Sequence, residues 1–161
     1  MEEPGFHPGD RGERRVSPEG HAPNHEILMD TPWLLMSWDG THRCVVAEWK
    51  AFATHSEFQG ALMKAVEALA DRKADGFVND IRKLESVNDE DRRWLRQTWA
   101  PLALAAGAKR IAVVAARYGL ARFAIDEMHG ESRDPILDWR IFTTMSDALE
   151  WIAGERPGAS R

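Results

Sequence analysis

Three sets of residues have types and spacing that could do chemistry. Asp126, Glu127, His129, Glu131 and Asp134 form the densest ionisable group in the chain. An aspartate three residues before a histidine can orient the imidazole while the ring takes or gives a proton, the work of a general acid–base pair. The same residues also suit a helix end, where His129 favours the dipole and Gly130 is a natural stop. His42 and Cys44 form the second set. Two apart on an extended segment, they project to one side, and with one further ligand they could hold a metal. No Cys-x-x-Cys or His pair supports this, and a lone cysteine usually packs. The third set is Asp80 and Arg82, at the carboxyl end of the apolar run Gly76–Ile81. Ligands of open α/β sheets bind at that end of the strands. A carboxylate there can accept from a ligand hydroxyl or a partner side chain, or simply pair with Arg82 or Lys83.

Other chemistries lack their residues. No Gly-rich loop follows a strand to cradle phosphates, and no Gly-x-Ser-x-Gly supplies a nucleophile elbow. The net charge of -5 provides no basic stripe for nucleic acid. Cys44 is the only cysteine, so no intrachain disulfide forms, which suits a reducing compartment. The start Met1-Glu2-Glu3-Pro4 is unlike a signal peptide, and no apolar run is long enough to span a membrane. The expectation is a cytoplasmic, soluble protein. No cofactor or metal is expected, and the catalytic set is read as empty.

The elements that must position these residues fit one domain, and 43% hydrophobic residues are enough for a core. Residues 1–30 alternate prolines, glycines and charges, with few apolar residues before Ile27. They read as a disordered tail. Its histidines, His7, His21 and His25, fit no ligand spacing. The folded domain is expected over 31–154, with a flexible tail at 155–161. Trp33–Trp38, the turn Asp39-Gly40 and a strand from His42 to Trp49 read as a hairpin. Phe58, Leu62, Ala65 and Leu69 mark one face of a helix over Ser56–Arg72, with Ser56 and Gln59 as a capping box. Gly76–Ile81 is the third strand.

Asn88 caps a second helix over Asp89–Ala106. Trp94, Leu95, Thr98, Trp99 and Leu102 form its inner stripe, and Pro101 kinks it. Ile111–Ala116 reads as a strand buried on both faces. A helix over Leu120–Met128 and a strand over Trp139–Thr143 follow, then a short helix capped by Thr144 with Asp147. The seven tryptophans suit core packing, with Trp38 beside the turn the most exposed. The order ββαβαβαβα implies a mixed, mostly parallel α/β sheet of about five strands flanked by about four helices.

This order resembles the STAS domain, and more closely the SpoIIAA-like proteins that share its fold. The resemblance covers about residues 33–153. It rests on Val46-Ala47-Glu48-Trp49-Lys50, Asn79-Asp80-Ile81-Arg82-Lys83, Trp99-Ala100-Pro101 and Ala148-Leu149-Glu150-Trp151-Ile152. It implies that the loop after the third strand and the start of the next helix form the functional end. Antagonists of the sigma-regulating type carry a phosphorylated Ser or Thr there. Here the stretch is Leu84-Glu85-Ser86-Val87-Asn88-Asp89-Glu90-Asp91, with Asn88 at the cap and Ser86 the one nearby hydroxyl.

These readings lead to a non-catalytic regulatory or binding module acting through protein contact, without a phospho-switch. The partner surface is expected at Asp80, Arg82, Leu84, Ser86, Val87, Asn88 and Asp89. Leu84 and Val87 would be apolar residues in an exposed loop, or would fold back as a hydrophobic staple. The acidic run Asp89–Asp91 beside Arg82 and Lys83 would orient the partner. Two other classes stand beside this reading: a carrier of a small apolar, lipid-like ligand, and a small enzyme using Asp126 and His129.

Overall fold

A computed structural model describes residues 24–117 and 138–154. The expected helix over Leu120–Met128, the Asp126–His129 group and most of both proposed tails lie outside the described residues.

The apolar runs of the hairpin become β2 (Leu34–Asp39) and β3 (Cys44–Trp49), paired antiparallel. Their connection is wider than a two-residue turn. Asp39 Oδ1 accepts from the His42 amide at 3.0 Å, and Arg43 takes a left-handed conformation with φ 54°. His42 therefore lies in the turn rather than on the strand.

Ahead of β2 stands an edge strand, β1 (His25–Asp30), paired antiparallel to it. The folded domain thus includes six residues that the sequence reading placed in the tail. An edge strand needs only one apolar face. Here Leu28 and Met29 supply it, packing on the core across a bulge, while Ile27 is left 45% exposed. Ion pairs fasten the rest: Lys50 Nζ reaches Asp30 at 2.7 Å, and Arg72 pairs with Glu26.

The 3.6-residue apolar repeat folds as α1 (His55–Arg72), burying Phe58, Leu62, Ala65 and Leu69. Its capping box is formed by Thr54 and Glu57, two residues before the expected Ser56 and Gln59. The helix starts one residue earlier than the apolar repeat alone indicates, because the Thr54 hydroxyl takes the Glu57 amide while Glu57 returns to the Thr54 amide. Next come β4 (Gly76–Asp80) and a long helical rod. The rod comprises α2 (Asp89–Trp94), a π-helical turn (Leu95–Trp99) and α3 (Ala100–Ala105).

Pro101 explains the π turn. It has no N–H to give the Gln97 carbonyl, so the ladder widens before it and the Ala100 amide donates to Leu95. The widened turn changes which residues face inward. Asp91, Leu95, Trp99 and Ala103, each four apart, are buried, whereas Thr98 and Leu102 are exposed. This corrects the expected stripe at Thr98 and Leu102. Gly107, with φ 106°, ends the rod.

β5 (Arg110–Val114) and β6 (Asp138–Phe142) complete a single sheet ordered β1-β2-β3-β4-β5-β6. The pairs from β3 to β6 are parallel, with β5 interior. Among the described residues the sheet therefore has six strands rather than five, the extra one being β1. A last helix, α4 (Met145–Ala153), is capped by Thr144, which accepts from the Asp147 amide.

Alternation along the strands builds two cores. On one face Met36, Val45, Trp49, Phe77, Ile111 and Val113 pack under α1 and the rod. On the other, Cys44, Val46, Val78, Ala112 and Val114 meet Ala148 and Ile152 of α4. Trp38 is half-buried against the first core rather than exposed, because its ring faces inward from β2. No helix among the described residues is long and apolar enough to cross a membrane.

Candidate functional site

The carboxyl ends of β3 and β4 lie side by side, with Glu48 opposite Asp80 in the parallel register. Consecutive residues of β4 project to opposite faces. Asn79 points into the first core and its Oδ1 accepts from Trp49 Nε1 at 2.7 Å. That bond satisfies the indole of a ring stacked between Trp33 and Phe58. Asp80, on the opposite face, is buried at 6% exposure.

A buried carboxylate needs partners. Asp80 Oδ1 accepts from Arg82 Nε at 3.0 Å and from the Arg82 amide at 3.1 Å. Oδ2 accepts from Arg82 Nη2 at 2.7 Å. The two side chains thus meet in a bidentate fork that fixes the guanidinium plane. The hydrogen bonds that Arg82 donates to Asp80 raise its pKa further, aided by the charges of Asp80 and Glu48, while partial burial acts against them. The Arg82 side chain remains 42% exposed.

Beyond Arg82 the chain turns back on itself. Ile81 donates to the Val114 carbonyl at 2.9 Å and Leu84 to the Ile81 carbonyl at 3.0 Å. Leu84 is buried in the first core and Val87 packs partly against it. Both fold back toward the core, so neither is a fully exposed apolar contact. Ser86 and Glu85 remain exposed. Asn88 caps α2, its Oδ1 accepting from the Asp91 amide at 2.7 Å, so its side chain is committed.

The acidic run is also largely engaged. Asp89 pairs with Arg92. Asp91 is buried at 4% exposure; its Oδ1 accepts from Gln59 Nε2 at 3.2 Å and lies 2.7 Å from His55 Nδ1. Only Glu90 of the three stands exposed without such a contact among the described residues.

Of the expected set, Asp80 and Arg82 meet directly, and Ser86 is exposed four residues beyond Arg82. Leu84 and Val87 belong to the core instead. His55, Gln59, Glu48 and Asn79 were missed. His55 lies 36 positions before Asp91 in the chain, and no local motif links them; only the packing of two helix starts brings them together.

The His42–Cys44 set does not assemble. His42 Nδ1 lies 2.8 Å from Asp39 Oδ2 in the turn, and Cys44 is fully buried. Among the described residues, no group of three or more His, Cys, Asp or Glu is arranged to hold a metal. A separate open groove of about 620 Å³ lies between the β2–β3 turn and α4, lined by His42, Met145, Ser146, Leu149, Glu150 and Ala153.

No family model and no curated protein matches the chain. Among solved structures, it is similar to an uncharacterized protein of the DUF3478 family with a SpoIIAA-like fold from Shewanella loihica PV-4. The two are 19% identical, the match covers 67% of this chain and 82% of that one, and the TM-score is 0.44.

Proposed function

We propose that this chain is a non-catalytic regulatory or binding module that works through protein contact at the carboxyl ends of β3 and β4. The observation that carries this reading is the Asp80–Arg82 fork. It spends Nε and Nη2 on Asp80 and leaves Nη1 without a protein partner among the described residues. A guanidinium already oriented loses little side-chain entropy when it meets an acceptor on another molecule. Exposed Lys83, Glu85, Ser86 and Glu90 lie near it in sequence and supply a polar rim. Asn88, not a hydroxyl, holds the cap of α2, so the contact is not switched by phosphate at that position.

A photo-crosslinking side chain at Ser86, in protein expressed in its own cell, tests this. The same probe at Asp71, near the far end of α1, is the control. One protein captured at position 86 and not at 71, and lost when Arg82→Glu is added, is expected. Capture that ignores Arg82→Glu overturns the role of the fork.

The second reading, a carrier of a small apolar ligand, has one observation in its favour. The open groove beside α4 is partly lined by the apolar side chains of Met145, Leu149 and Ala153. Native mass spectrometry of gently purified protein separates the two readings. A co-purifying lipid-sized mass lost on Leu149→Asp supports the carrier.

A further inference from the structure

We infer that two copies of this chain pair through β6, antiparallel about Trp139, joining their sheets edge to edge. This goes beyond the contact at the carboxyl ends of β3 and β4 and does not rest on it. β6 is the last strand of the sheet and pairs with β5 alone among the described strands. The Asp138 amide donates to the Lys109 carbonyl at 3.2 Å, and the Phe142 carbonyl accepts from the Ala115 amide at 2.9 Å. Backbone groups of successive strand residues turn to opposite sides, so Trp139 and Ile141 present their N–H and C=O to the outer edge.

The two edges of the sheet are built differently. β1 carries a bulge between Ile27 and Met29, and its Glu26 and Asp30 are tied to Arg72 and Lys50. A bulge and charges of this kind keep an edge from pairing. β6 instead runs in unbroken register with β5 from Asp138 to Phe142. A straight edge with outward N–H and C=O groups is a template for another strand.

Charge selects both the occupant and the register. Asp138 and Arg140 are exposed on the face of β6 that carries α4, and neither has an ion-pair partner among the described residues. Arg140 lies over the Trp151 ring, its guanidinium carbon 5.2 Å from the ring centre. One strand thus carries both halves of a charge pair, which makes it complementary to a second copy of itself. In an antiparallel pair centred on Trp139, each Asp138 faces Arg140 of the other copy. Trp139 faces Trp139 in the pair that exchanges both backbone bonds, as its outward N–H and C=O require. Asp138 and Arg140 then fall at the closer, non-bonded pairs, where facing side chains interact most. The two indoles meet on the opposite face, where Trp139 is half-buried against the first core. Centring on Ile141 would set Arg140 against Phe142 and Asp138 against Thr144, with no charge matched. A contact between two five-residue strands is smaller than the roughly 1,200 Å² of a standard stable interface, so the dimer dissociates on dilution.

The experiment is sedimentation velocity of the whole chain over a range of concentrations, with circular dichroism to confirm that each variant is folded. Wild type is expected to shift from monomer to dimer as concentration rises. Asp138→Arg and Arg140→Asp should each loosen the dimer by about 10-fold or more, since each turns two opposite-charge contacts into like-charge ones. Mixing the two variants, one of them fluorescently labelled, should restore pairing as a heterodimer, because every facing pair is again opposite in charge. The double variant Asp138→Arg with Arg140→Asp should pair as wild type does, and it decides the matter should a single variant not fold. Wild type that stays monomeric throughout overturns the inference. So does a dimer that ignores both substitutions. A dimer that both weaken, but that neither the mixture nor the double variant restores, overturns the register about Trp139.

Discussion

Gly76 and Ile152 are packed so closely that no side chain fits between them. A Cβ on Gly76 would lie 2.8 Å from both Cδ1 and Cγ2 of Ile152 and 3.2 Å from the Arg110 carbonyl. This contact seats α4 on the start of β4, and so closes the second core. Gly76→Ala is expected to cost about 1–3 kcal/mol by overpacking. Ile152→Ala removes both clashing carbons and by itself costs about 2–4 kcal/mol through a cavity. The double variant should lose less than the two single losses added together, because the new methyl enters the space vacated. Urea unfolding of the four proteins gives the coupling. Strict additivity would show that α4 does not rest on Gly76.

The start of α1 provides a second comparison. Thr54 and Glu57 exchange hydrogen bonds with each other's amides, whereas Ser56 is exposed inside the first turn. Thr54→Ala is expected to cost about 1 kcal/mol and Ser56→Ala to stay within about 0.5 kcal/mol. The reverse order in thermal melts would return the cap to Ser56.

Both features bear on what could be read in the sequence. β2 to β5, α1 and α4 were legible because each carries a strong period or an unbroken apolar run, and Asn88 and Thr144 cap as their residue types indicate. β1 was not legible, since three apolar residues among charges look the same in a tail and in an edge strand. The π turn could not be seen either. Pro101 announces a disturbance, but whether the helix kinks or widens depends on how Leu95 and Trp99 pack. The Asp80–Arg82 pair was legible because its members are near neighbours in sequence. His55 and Asp91 belong to different helices and were not.

Truncation separates β1 from what precedes it. Residues 1–23 lie outside the described structure, and their composition gives them no apolar face, so removing them should change the melting temperature little. Removing 1–30 also deletes the packing of Leu28 and Met29 and the Lys50–Asp30 and Arg72–Glu26 pairs. A fall of at least about 5 °C is expected. Equal melting of the two truncations would mean that β1 does not contribute.

The Asp80–Arg82 fork makes an unequal prediction for its two members. Arg82→Ala strands a carboxylate that is 8% exposed, whereas Asp80→Ala releases a guanidinium that is already 42% exposed and can turn to water. Arg82→Ala should therefore cost more, about 1–3 kcal/mol after allowing for the solvent that screens the arginine, against about 1 kcal/mol for Asp80→Ala. The pH dependence follows from the sign of the shift. Arg82 has its pKa raised by the hydrogen bond to Asp80, so folding favours the charged form. That contribution is complete below the ordinary arginine range and is lost only as pH rises through the folded value, in strong alkali. The gap between wild type and Arg82→Ala should therefore be the same at about pH 7 and about pH 9, where an arginine keeps its proton. Urea unfolding at both values measures it. A gap that closes by pH 9 would assign the stability to some other titrating group, and the oriented guanidinium would lose its place at the centre of the proposed contact surface.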